Sequence, residues 1–512
     1  MVPKAFKAYG GWIGAAGAAL AIGLTELFAG LFASVPSSIA AVGSYIVDFS
    51  PPAVRDFAIA VFGTADKGAL AVGTAIISTV LGAVVGRRSI ANRNVAIAVF
   101  SLFALIGVFA GVNQPLINGT LTVISVLVAV GTGLAVVLYG VGQIRAAESE
   151  PVDETGGLDR RRFVRVVVGS GVTAALAGLL GRLSIINRTE QIRSDLVLPP
   201  VVSSEEVIVA LPSGFDSIPG LSPLIVSNED FYRIDTALVV PRIDANTWEF
   251  KIHGLVDNEL SLSLDDLYGM ELVEESVTLQ CVSNKVGGNL VGNAVWTGVR
   301  LTDVLNMAGV QSDAAQIVGR SVDGWTGGFP IEIAFDGREP LIAIGMNGEP
   351  LPAAHGFPAR LVVPGLYGYV SATKWLSDIE LTTWDGFDGY WIPRGWSKLG
   401  PIKTASRIDY PRNNEQVTGA PVIVAGVAWA PTLGIEMVEV QIDGGEWLVA
   451  ELSDAISNKA WLQWKVEVAL EPGRHTARVR ATDGTSYTQT EDRVPPRPDG
   501  ATGYHERSFV TA

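Results

Sequence analysis

Five long runs of apolar residues occupy the first 181 positions of this 512-residue chain, and they constrain its fold more than any other feature. The hydrocarbon core of a bilayer is about 30 Å thick, and roughly 20 apolar helical residues cross it. The runs are rich in Gly, Ala and Val, small residues that allow close helix packing in lipid. We therefore predict a five-helix transmembrane bundle over residues 1–181. The runs cover residues 12–32, 69–85, 95–112, 121–141 and 163–180.

The basic residues that flank these runs predict their orientation. Lys and Arg concentrate on the cytoplasmic side of membrane helices. Bases stand before the first run, between the second and third, and between the fourth and fifth, whereas residues 113–120 are uncharged. The chain is therefore predicted to be a multi-pass protein of the cell membrane, in contact with lipid, with a cytoplasmic N-terminus and an extracytoplasmic remainder. The bases concerned are Lys4, Lys7, Arg87, Arg88, Arg93, Arg145, Arg160, Arg161 and Arg162.

Two features of the apolar runs suggest functions beyond anchoring. The segment DRRRFVRVVVGSG, residues 159–171, resembles a twin-arginine export signal, with Arg160 and Arg161 as the pair. The alternative is an ordinary anchor with basic flanks, and no Ala-x-Ala cleavage pattern follows. Glu26 lies inside the first run, where an ionisable group is costly. Two roles are open for Glu26. It is part of a proton or quinone site, or it serves the packing of helices.

The rest of the chain is strongly acidic and poor in metal-binding residues. It carries 25 Lys and Arg against 43 Asp and Glu, so nucleic acid is not expected as a partner. A single cysteine excludes disulfides within the chain and sites built from several cysteines. All four histidines follow the apolar runs, so we expect no haem held between transmembrane helices and no haem in this chain.

The pattern after residue 181 indicates three further parts. Residues 182–224 contain Pro and Ser and are predicted to form an extended tether. Residues 225–400 alternate β-rich and helical pieces, which is typical of an α+β domain. Residues 401–512 show period-two alternation between Gly, Pro and Asp turns. About seven short strands there predict an all-β, immunoglobulin-like sandwich, so the fold class is multi-domain.

Cys281 is the candidate metal ligand. A lone cysteine is often an inert core residue. Here it ends an apolar run, and the loop that follows is rich in Gly and Asn. Backbone amides in such a loop can approach an anionic ligand closely. A thiolate is a soft ligand suited to molybdenum or copper, and the other donors would come from a cofactor or solvent.

The residues from about 222 to 512 resemble the sulfite oxidase superfamily of molybdopterin enzymes. LQCVSN, which contains Cys281, looks like the LQCAGN of that family. Four further segments match in the same order, and the last resembles the dimerisation domain of the family, which implies a possible homodimer. These segments are WTGVRLTDVL (296–305), MNGEPLPAAHGFPARLVVPG (346–365), YGYVSATKWL (367–376) and GVAWA (426–430).

The resemblance implies a molybdenum–molybdopterin cofactor with one pyranopterin per metal and Cys281 as the protein ligand. Cations and hydrogen-bonding groups suit a pterin that carries a phosphate. Alternatives are a surface or strand-edge charge for Arg360 and Lys374, and a structural role for His355. The pterin-binding residues that the resemblance implies are Tyr232, Arg233, Ser321, His355, Arg360 and Lys374.

Several positions depart from the family pattern. Sulfite-oxidising members have NRR after the cysteine, where this chain has Asn284–Lys285–Val286. Their active-site tyrosine falls near Trp325, and Asp235 replaces a histidine. Sulfite is a dianion that favours several positive groups, and part of the arginine cluster and the tyrosine are missing here, so sulfite oxidation is disfavoured. The related methionine sulfoxide reductases have an asparagine where this chain has Glu229.

The sequence predicts an oxo-transfer enzyme that acts outside the cytoplasm on a small sulfur- or nitrogen-containing molecule. The candidate catalytic residues are Arg233, Trp325 and Lys285, and electrons are exchanged with a separate membrane or soluble carrier. One alternative is a non-catalytic membrane protein that displays a binding domain. Another is a transport or channel unit, which the scarcity of buried polar groups in the helices disfavours.

Overall fold

The computed structural model describes residues 4–51, 54, 57, 61–62, 66–114, 117–149, 160–201 and 214–512. Two compact units are formed. The first contains the described residues up to Gln191 together with Ala237–Arg242, and the second contains those of 192–236 and 243–512. The side chains of Arg160 and Arg161 lie outside the described part, so the export signal stays a prediction.

The first unit is helical, and five of its helices are long and apolar enough to cross a membrane. These five helices coincide with the five predicted runs, of which only Phe32 falls outside its helix, and most extend into polar ends. A shorter apolar helix, α2, follows the first and was not predicted from the sequence. The helices described are α1 (Lys4–Leu31), α2 (Ser38–Phe49), α3 (Asp66–Ser89), α4 (Asn94–Val112), α5 (Gly119–Ser149) and α6 (Arg160–Ser194).

Glycines allow the helix backbones of the first unit to touch. A Cβ atom added at Gly14 of α1 would lie 2.0 Å from the carbonyl oxygen of Gly82 in α3. Similar contacts join Gly30 of α1 to Gly181 of α6, where an added Cβ would lie 2.4 Å from the carbonyl oxygen. Backbone contact of this kind is the reason for small residues at helix interfaces in lipid.

Glu26 is buried between α1 and the start of α2. Its Oε1 accepts a 2.8 Å hydrogen bond from the Ser37 hydroxyl and a 3.4 Å bond from the Ile39 amide. Ser37 in turn caps α2 by accepting a hydrogen bond from Ala40. These contacts favour the packing role for Glu26.

The second unit begins its regular structure with two sheets. One has the order β2-β1-β10-β5-β6, in which β1 and β10 are parallel, and the other has the order β3-β4-β7-β8 with β9 paired to β7. The strands are β1 (Glu249–Gly254), β2 (Leu260–Ser263), β3 (Val273–Gln280), β4 (Val291–Arg300), β5 (Gln316–Ser321), β6 (Thr326–Pro330), β7 (Leu341–Met346), β8 (Glu349–Pro350), β9 (Arg360–Val362) and β10 (Leu376–Thr382). The helices between them are α7 (Leu264–Tyr268), α8 (Leu301–Ala308), α9 (Glu332–Phe335) and α10 (Gly368–Ser371).

The C-terminal part, called the tail below (residues 401–512), forms two further sheets. Their strand orders are β11-β13-β17-β16 and β12-β19-β18-β14-β15. Val424 and Trp464 from the first sheet share one buried cluster with Val438, Val479 and Phe509 from the second. The strands are β11 (Ala405–Tyr410), β12 (Gln416–Val417), β13 (Val422–Trp429), β14 (Ile435–Ile442), β15 (Trp447–Val449), β16 (Glu451–Leu452), β17 (Leu462–Val468), β18 (Gly473–Asp483) and β19 (His505–Thr511).

The structure differs from the predicted tether at both ends. Helix α6 continues to Ser194, well past residue 182. Phe215 and Ile218 are buried against Ala425 of the tail. The end of the tether is therefore packed, because Phe215 and Ile218 find an apolar surface on the tail that the local pattern did not reveal.

Candidate functional site

Six of the predicted site residues meet at one cavity of the second unit. The cavity contains about 880 Å³ of empty space, including the solvent at its mouth. The six residues that line it are Tyr232, Cys281, Ser321, Trp325, Arg360 and Lys374.

Cys281 begins the loop that joins strands β3 and β4. Its amide donates a 3.0 Å hydrogen bond to the carbonyl of Leu290, which closes the base of the loop. Inside the loop, the side-chain oxygen of the buried Asn284 accepts a 3.0 Å bond from the Leu290 amide. The motif residue Asn284 therefore stabilises the conformation of the cysteine loop through this hydrogen bond.

The surroundings of the Cys281 thiol act on its pKa in both directions. Burial raises its pKa, while hydrogen bonds from Ser283 and the charge of Lys374 act in the opposite direction. A bound metal ion would remove the thiol proton outright, since coordination favours the thiolate.

The tail holds the cysteine loop from two sides. The Trp429 indole donates a 2.8 Å bond to the side chain of Gln280, the residue before Cys281. Arg407 donates a 2.7 Å bond to the carbonyl of Gly288. Gly287 has φ +73°, and a Cβ added there would lie 2.2 Å from the His505 ring. Strands β13, β11 and β19 thus fix the position of the candidate ligand.

Two cations lie at the cavity wall. Burial lowers the pKa of Arg360 to about 10, so it remains charged at neutral pH, and it lies 4.8 Å over the Trp296 ring. Burial lowers the pKa of Lys374 to about 8, opposed by its 3.3 Å pair with Asp235. A Cβ added at Gly356, φ +120°, would lie 2.9 Å from the Arg360 side chain. Only glycine allows the chain to pass so close to Arg360 in this conformation.

His355 is held neutral beneath these cations. Burial lowers its pKa to about 4, and the charges of Lys374 and Arg360 act in the same direction. Its Nε2 lies 3.0 Å from the carbonyl oxygen of Asn228 and donates to it. Its Nδ1 is a buried acceptor without a partner among the described residues. An unpaired buried acceptor is costly, so this atom suits a donor that arrives with a ligand or water.

The remaining lining residues supply neutral contacts. Burial raises the pKa of Tyr232, with Cys281 adding to the effect, so its phenol stays protonated. Ser321 ends β5, and its amide donates a 2.8 Å bond to the carbonyl of Trp325. The Trp325 amide donates a 3.0 Å bond to Asp323. These bonds close the turn that presents the Trp325 side chain to the cavity.

Two predicted catalytic residues do not line the cavity. The Arg233 side chain is 40% exposed and donates a 2.9 Å bond to Asp235. Lys285 is exposed on the far part of the cysteine loop. His355 also lies behind the wall, where it contacts Arg360 through its carbonyl. The cavity therefore contains fewer cations than the sequence suggested.

The residues present fit a molybdopterin cofactor. Within the described ranges, no group of three or more His, Cys, Asp or Glu side chains could hold a metal ion. A metal at Cys281 would therefore depend on donors that a cofactor brings. The buried cations Arg360 and Lys374 suit its phosphate, and the unpartnered Nδ1 of His355 suits a donor on or beside it.

Several residues of the site were not found from the sequence. Tyr369, Trp391 and Trp396 line the cavity, as do Asp235 and Asp323. The only signal for the tryptophans is the aromatic-rich loop YWIPRGW, residues 390–396. No local pattern links it to Cys281, more than a hundred positions earlier.

The chain is similar to known proteins over this site. Residues 237–391 match the family model described as "Oxidoreductase molybdopterin binding domain". The uncharacterized oxidoreductase YuiH of Bacillus subtilis is 36% identical over 157 residues, which are 31% of this chain and 76% of that protein. Mitochondrial sulfite oxidase of Homo sapiens is 30% identical over 308 residues, 51% of this chain and 56% of that protein.

A nitrate reductase is also similar. The NADH nitrate reductase of Hordeum vulgare is 30% identical over 319 residues, which are 50% of this chain and 35% of that protein. The chain thus spans a little over half the length of the human sulfite oxidase and about a third of the plant reductase. The family-model match includes Cys281 and begins after Tyr232 and Arg233.

Proposed function

The chain belongs to the sulfite oxidase superfamily of molybdopterin-dependent oxidoreductases, and we propose that it is a membrane-anchored member that transfers oxygen atoms outside the cytoplasm. The substrate is a small sulfur- or nitrogen-containing molecule, and a separate carrier exchanges the electrons. The observation that carries this proposal is the meeting of Cys281, Arg360 and Lys374 at one cavity.

Several residues at and behind the cavity wall hold the cofactor. Cys281 provides the metal ligand, and Arg360 and Lys374 bind the phosphate. Tyr232 and Ser321 contribute hydrogen bonds to the pterin, and the neutral His355, behind the lining, would reach it through a bridging donor such as water at Nδ1. When bound, the cofactor supplies two-electron redox chemistry at the metal. In the oxidative direction water supplies the oxygen atom, and two protons and two electrons are released. In the reductive direction the oxygen atom leaves as water, which takes up two protons and two electrons.

The remaining residues shape the approach to the metal. Trp325 forms part of the wall, and its ring position requires Gly327, where an added Cβ would lie 2.6 Å away. Arg233, held by Asp235 outside the lining, would contact the cofactor or an incoming substrate only after a side-chain movement. We assign the tail to an immunoglobulin-like dimerisation domain by resemblance.

Contacts within the first unit support the proposed membrane topology. Arg145 of α5 donates a 3.0 Å bond to the carbonyl of Ser89, at the end of α3. Both positions are predicted to be cytoplasmic. The Asn118 amide, before α5, donates a 2.9 Å bond to the carbonyl of Ser34, just after α1. Both of these are predicted to be outside.

Metal and pterin analysis of the purified chain tests the proposal. We expect stoichiometric molybdenum in the wild-type protein and none in Cys281→Ser, with Ser312→Ala, at an exposed position outside the cavity, as the control. A protein that lacks molybdenum after expression in a cofactor-producing host would contradict the proposal. A non-catalytic display protein would show no cofactor in either variant.

A further inference from the structure

Residues 237–242, with the sequence ALVVPR, belong to the first unit, although the chain on both sides of them belongs to the second. The Lys67 ammonium, near the start of α3, donates a 2.7 Å bond to the carbonyl of Ala237. On α2, a Cβ added at Gly43 would lie 2.7 Å from Cδ1 of Leu238. The absence of a side chain at Gly43 thus makes room for Leu238, and the segment is packed on the helices.

Arg242 attaches the end of this segment to α1. Its guanidinium donates one bond to the carbonyl of Ala29 and a second, of 2.9 Å, to the carbonyl of Val35. Helix α1 ends at Leu31, so the Ala29 carbonyl is one of the last four, which have no partner within the helix. A cation at this end of a helix also interacts favourably with the helix dipole. Ala29, Val35 and Lys67 all lie at helix ends that are predicted to be outside the cytoplasm.

The three residues directly before this segment line the cofactor cavity. They are Ile234, Asp235 and Thr236. The Thr236 hydroxyl donates a 3.3 Å bond to Asp323, another lining residue. Thr236 is joined directly to Ala237, so no flexible linker separates the cavity lining from the attached segment. A displacement of Ala237 would therefore move the lining as well.

Asp235 connects this lining to a cation of the proposed phosphate site. Its carboxylate lies 3.3 Å from the Lys374 ammonium, and the two side chains are only 5% and 11% exposed. Separating such a buried pair is costly, because each charge would lose its partner away from water. The position of Lys374 therefore depends on the position of Asp235.

We propose that residues 237–242 position the cofactor site. Helices α1, α2 and α3 hold this segment, and the segment holds Asp235 where it orients Lys374. Arg242 and Lys67 act through the segment, so they are positioning residues. The inference rests on the proposed function and gives the helical unit a part in cofactor retention beyond anchoring. The competing interpretation is that the segment only fastens the chain, without effect on the cavity.

The test compares Arg242→Gln with Arg145→Gln in the purified, detergent-solubilised full-length protein. Arg145 likewise donates two bonds to backbone carbonyls of the first unit, those of Ser89 and Ile90, at the end predicted to be cytoplasmic. After dilution, Arg242→Gln should lose pterin about tenfold faster than the wild type, a typical coupling between two parts of a protein. Arg145→Gln should retain it like the wild type. Arg242→Lys keeps a cationic donor and should restore most of the retention.

Hydrogen exchange distinguishes positioning from a general loss of stability. In Arg242→Gln the amides of residues 232–236 should exchange faster than in the wild type, whereas those of the buried strand β4 should not. Lys67→Met removes the bond to Ala237 and should act in the same direction. This second variant also serves if Arg242→Gln does not fold.

The possible outcomes separate this inference from the proposed function. Wild-type pterin retention and exchange in both Arg242→Gln and Lys67→Met would overturn the positioning role and leave the proposed function intact. An equal loss of pterin in Arg145→Gln, or faster exchange throughout the second unit, would also overturn it. If the wild-type protein contains no pterin, the proposed function fails and this inference falls with it.

Discussion

The Trp429 indole nitrogen lies 2.8 Å from the side-chain oxygen of Gln280, the residue directly before Cys281, and both side chains are buried. Trp429→Phe leaves that oxygen without its donor, at a cost of about 1–3 kcal/mol. We expect a lower thermal midpoint and less molybdenum per chain, measured by scanning fluorimetry and metal analysis. Trp447→Phe is the control, and equal molybdenum content in both variants would refute a positioning role for Trp429.

Arg360 is expected to be essential for cofactor retention. Arg360→Gln removes a buried charge that faces the cavity, and loss of a charge-assisted bond weakens binding about tenfold or more. Pterin fluorescence after denaturation measures the amount retained. Arg300→Gln, which breaks ion pairs with Glu271 and Glu339, is a control outside the cavity. Full pterin content in Arg360→Gln would show that phosphate binding lies elsewhere.

Gly287 should not tolerate a side chain. In Gly287→Ala, the added Cβ meets the His505 ring and the backbone conformation is strained. Gly324→Ala has a similar positive φ, +86°, with nothing within 4 Å, and so reports the backbone strain alone. We expect Gly287→Ala to be the less stable by about 1–3 kcal/mol, the usual cost of overpacking. Thermal midpoints compare the two, and equal values would argue against the contact.

Acid should destabilise the tail through His505. Burial, aided by the charges of Arg507 and Arg407, lowers its pKa to about 4, and its Nδ1 accepts from the Ile408 amide. The unfolded state, with a pKa near 6.5, binds the proton first as pH falls. Stability is therefore constant above about pH 6.5 and falls toward pH 4, by about 2 kcal/mol between pH 7 and pH 5.

His505→Asn keeps an acceptor for Ile408 and removes the titration, so its thermal midpoint should depend less on pH than that of the wild type. His355, whose pKa is also about 4, leaves some acid sensitivity. The control is His475→Asn. Asp443 raises the pKa of His475, so its stabilisation is lost on raising the pH. An unchanged pH profile in His505→Asn would exclude His505 as the source.

The proposed topology predicts the labelling of two engineered cysteines. Asn92 and Asn113 are both exposed at helix ends, and they are predicted to lie on opposite sides of the membrane. In a Cys281→Ser background, an impermeant maleimide should label Asn113→Cys in intact cells and Asn92→Cys only after permeabilisation. The reverse labelling pattern would show that the orientation of the bundle is opposite to the predicted one.

The long helices could be predicted because a membrane span depends on local composition and length. Helix α2 could not be predicted by this criterion, because its 12 residues are too few to cross a bilayer. Cys281, Arg360 and Lys374 could be predicted from motifs that resemble a family. Lys285 follows the same motif, yet it is exposed and does not line the cavity.

The placement of Trp391 and Trp396 at the cavity and the support from the tail depend on tertiary packing alone. Trp391 and Trp396 reach the cavity because Arg497, about a hundred residues later, binds the loop between them. Such a contact leaves no periodic or compositional trace. Asp235 was noticed only as a departure from the family, and its pairing with both Arg233 and Lys374 explains why the cavity is less positive than expected.

The support of the cysteine loop by Trp429, Arg407 and His505 limits how this protein can evolve by recombination. A tail exchanged with that of a relative would have to bring all three contacts with it, or the ligand loop would lose its support. The cysteine loop and the tail should therefore be inherited together. Natural hybrids should have their junction before residue 214 more often than near residue 401.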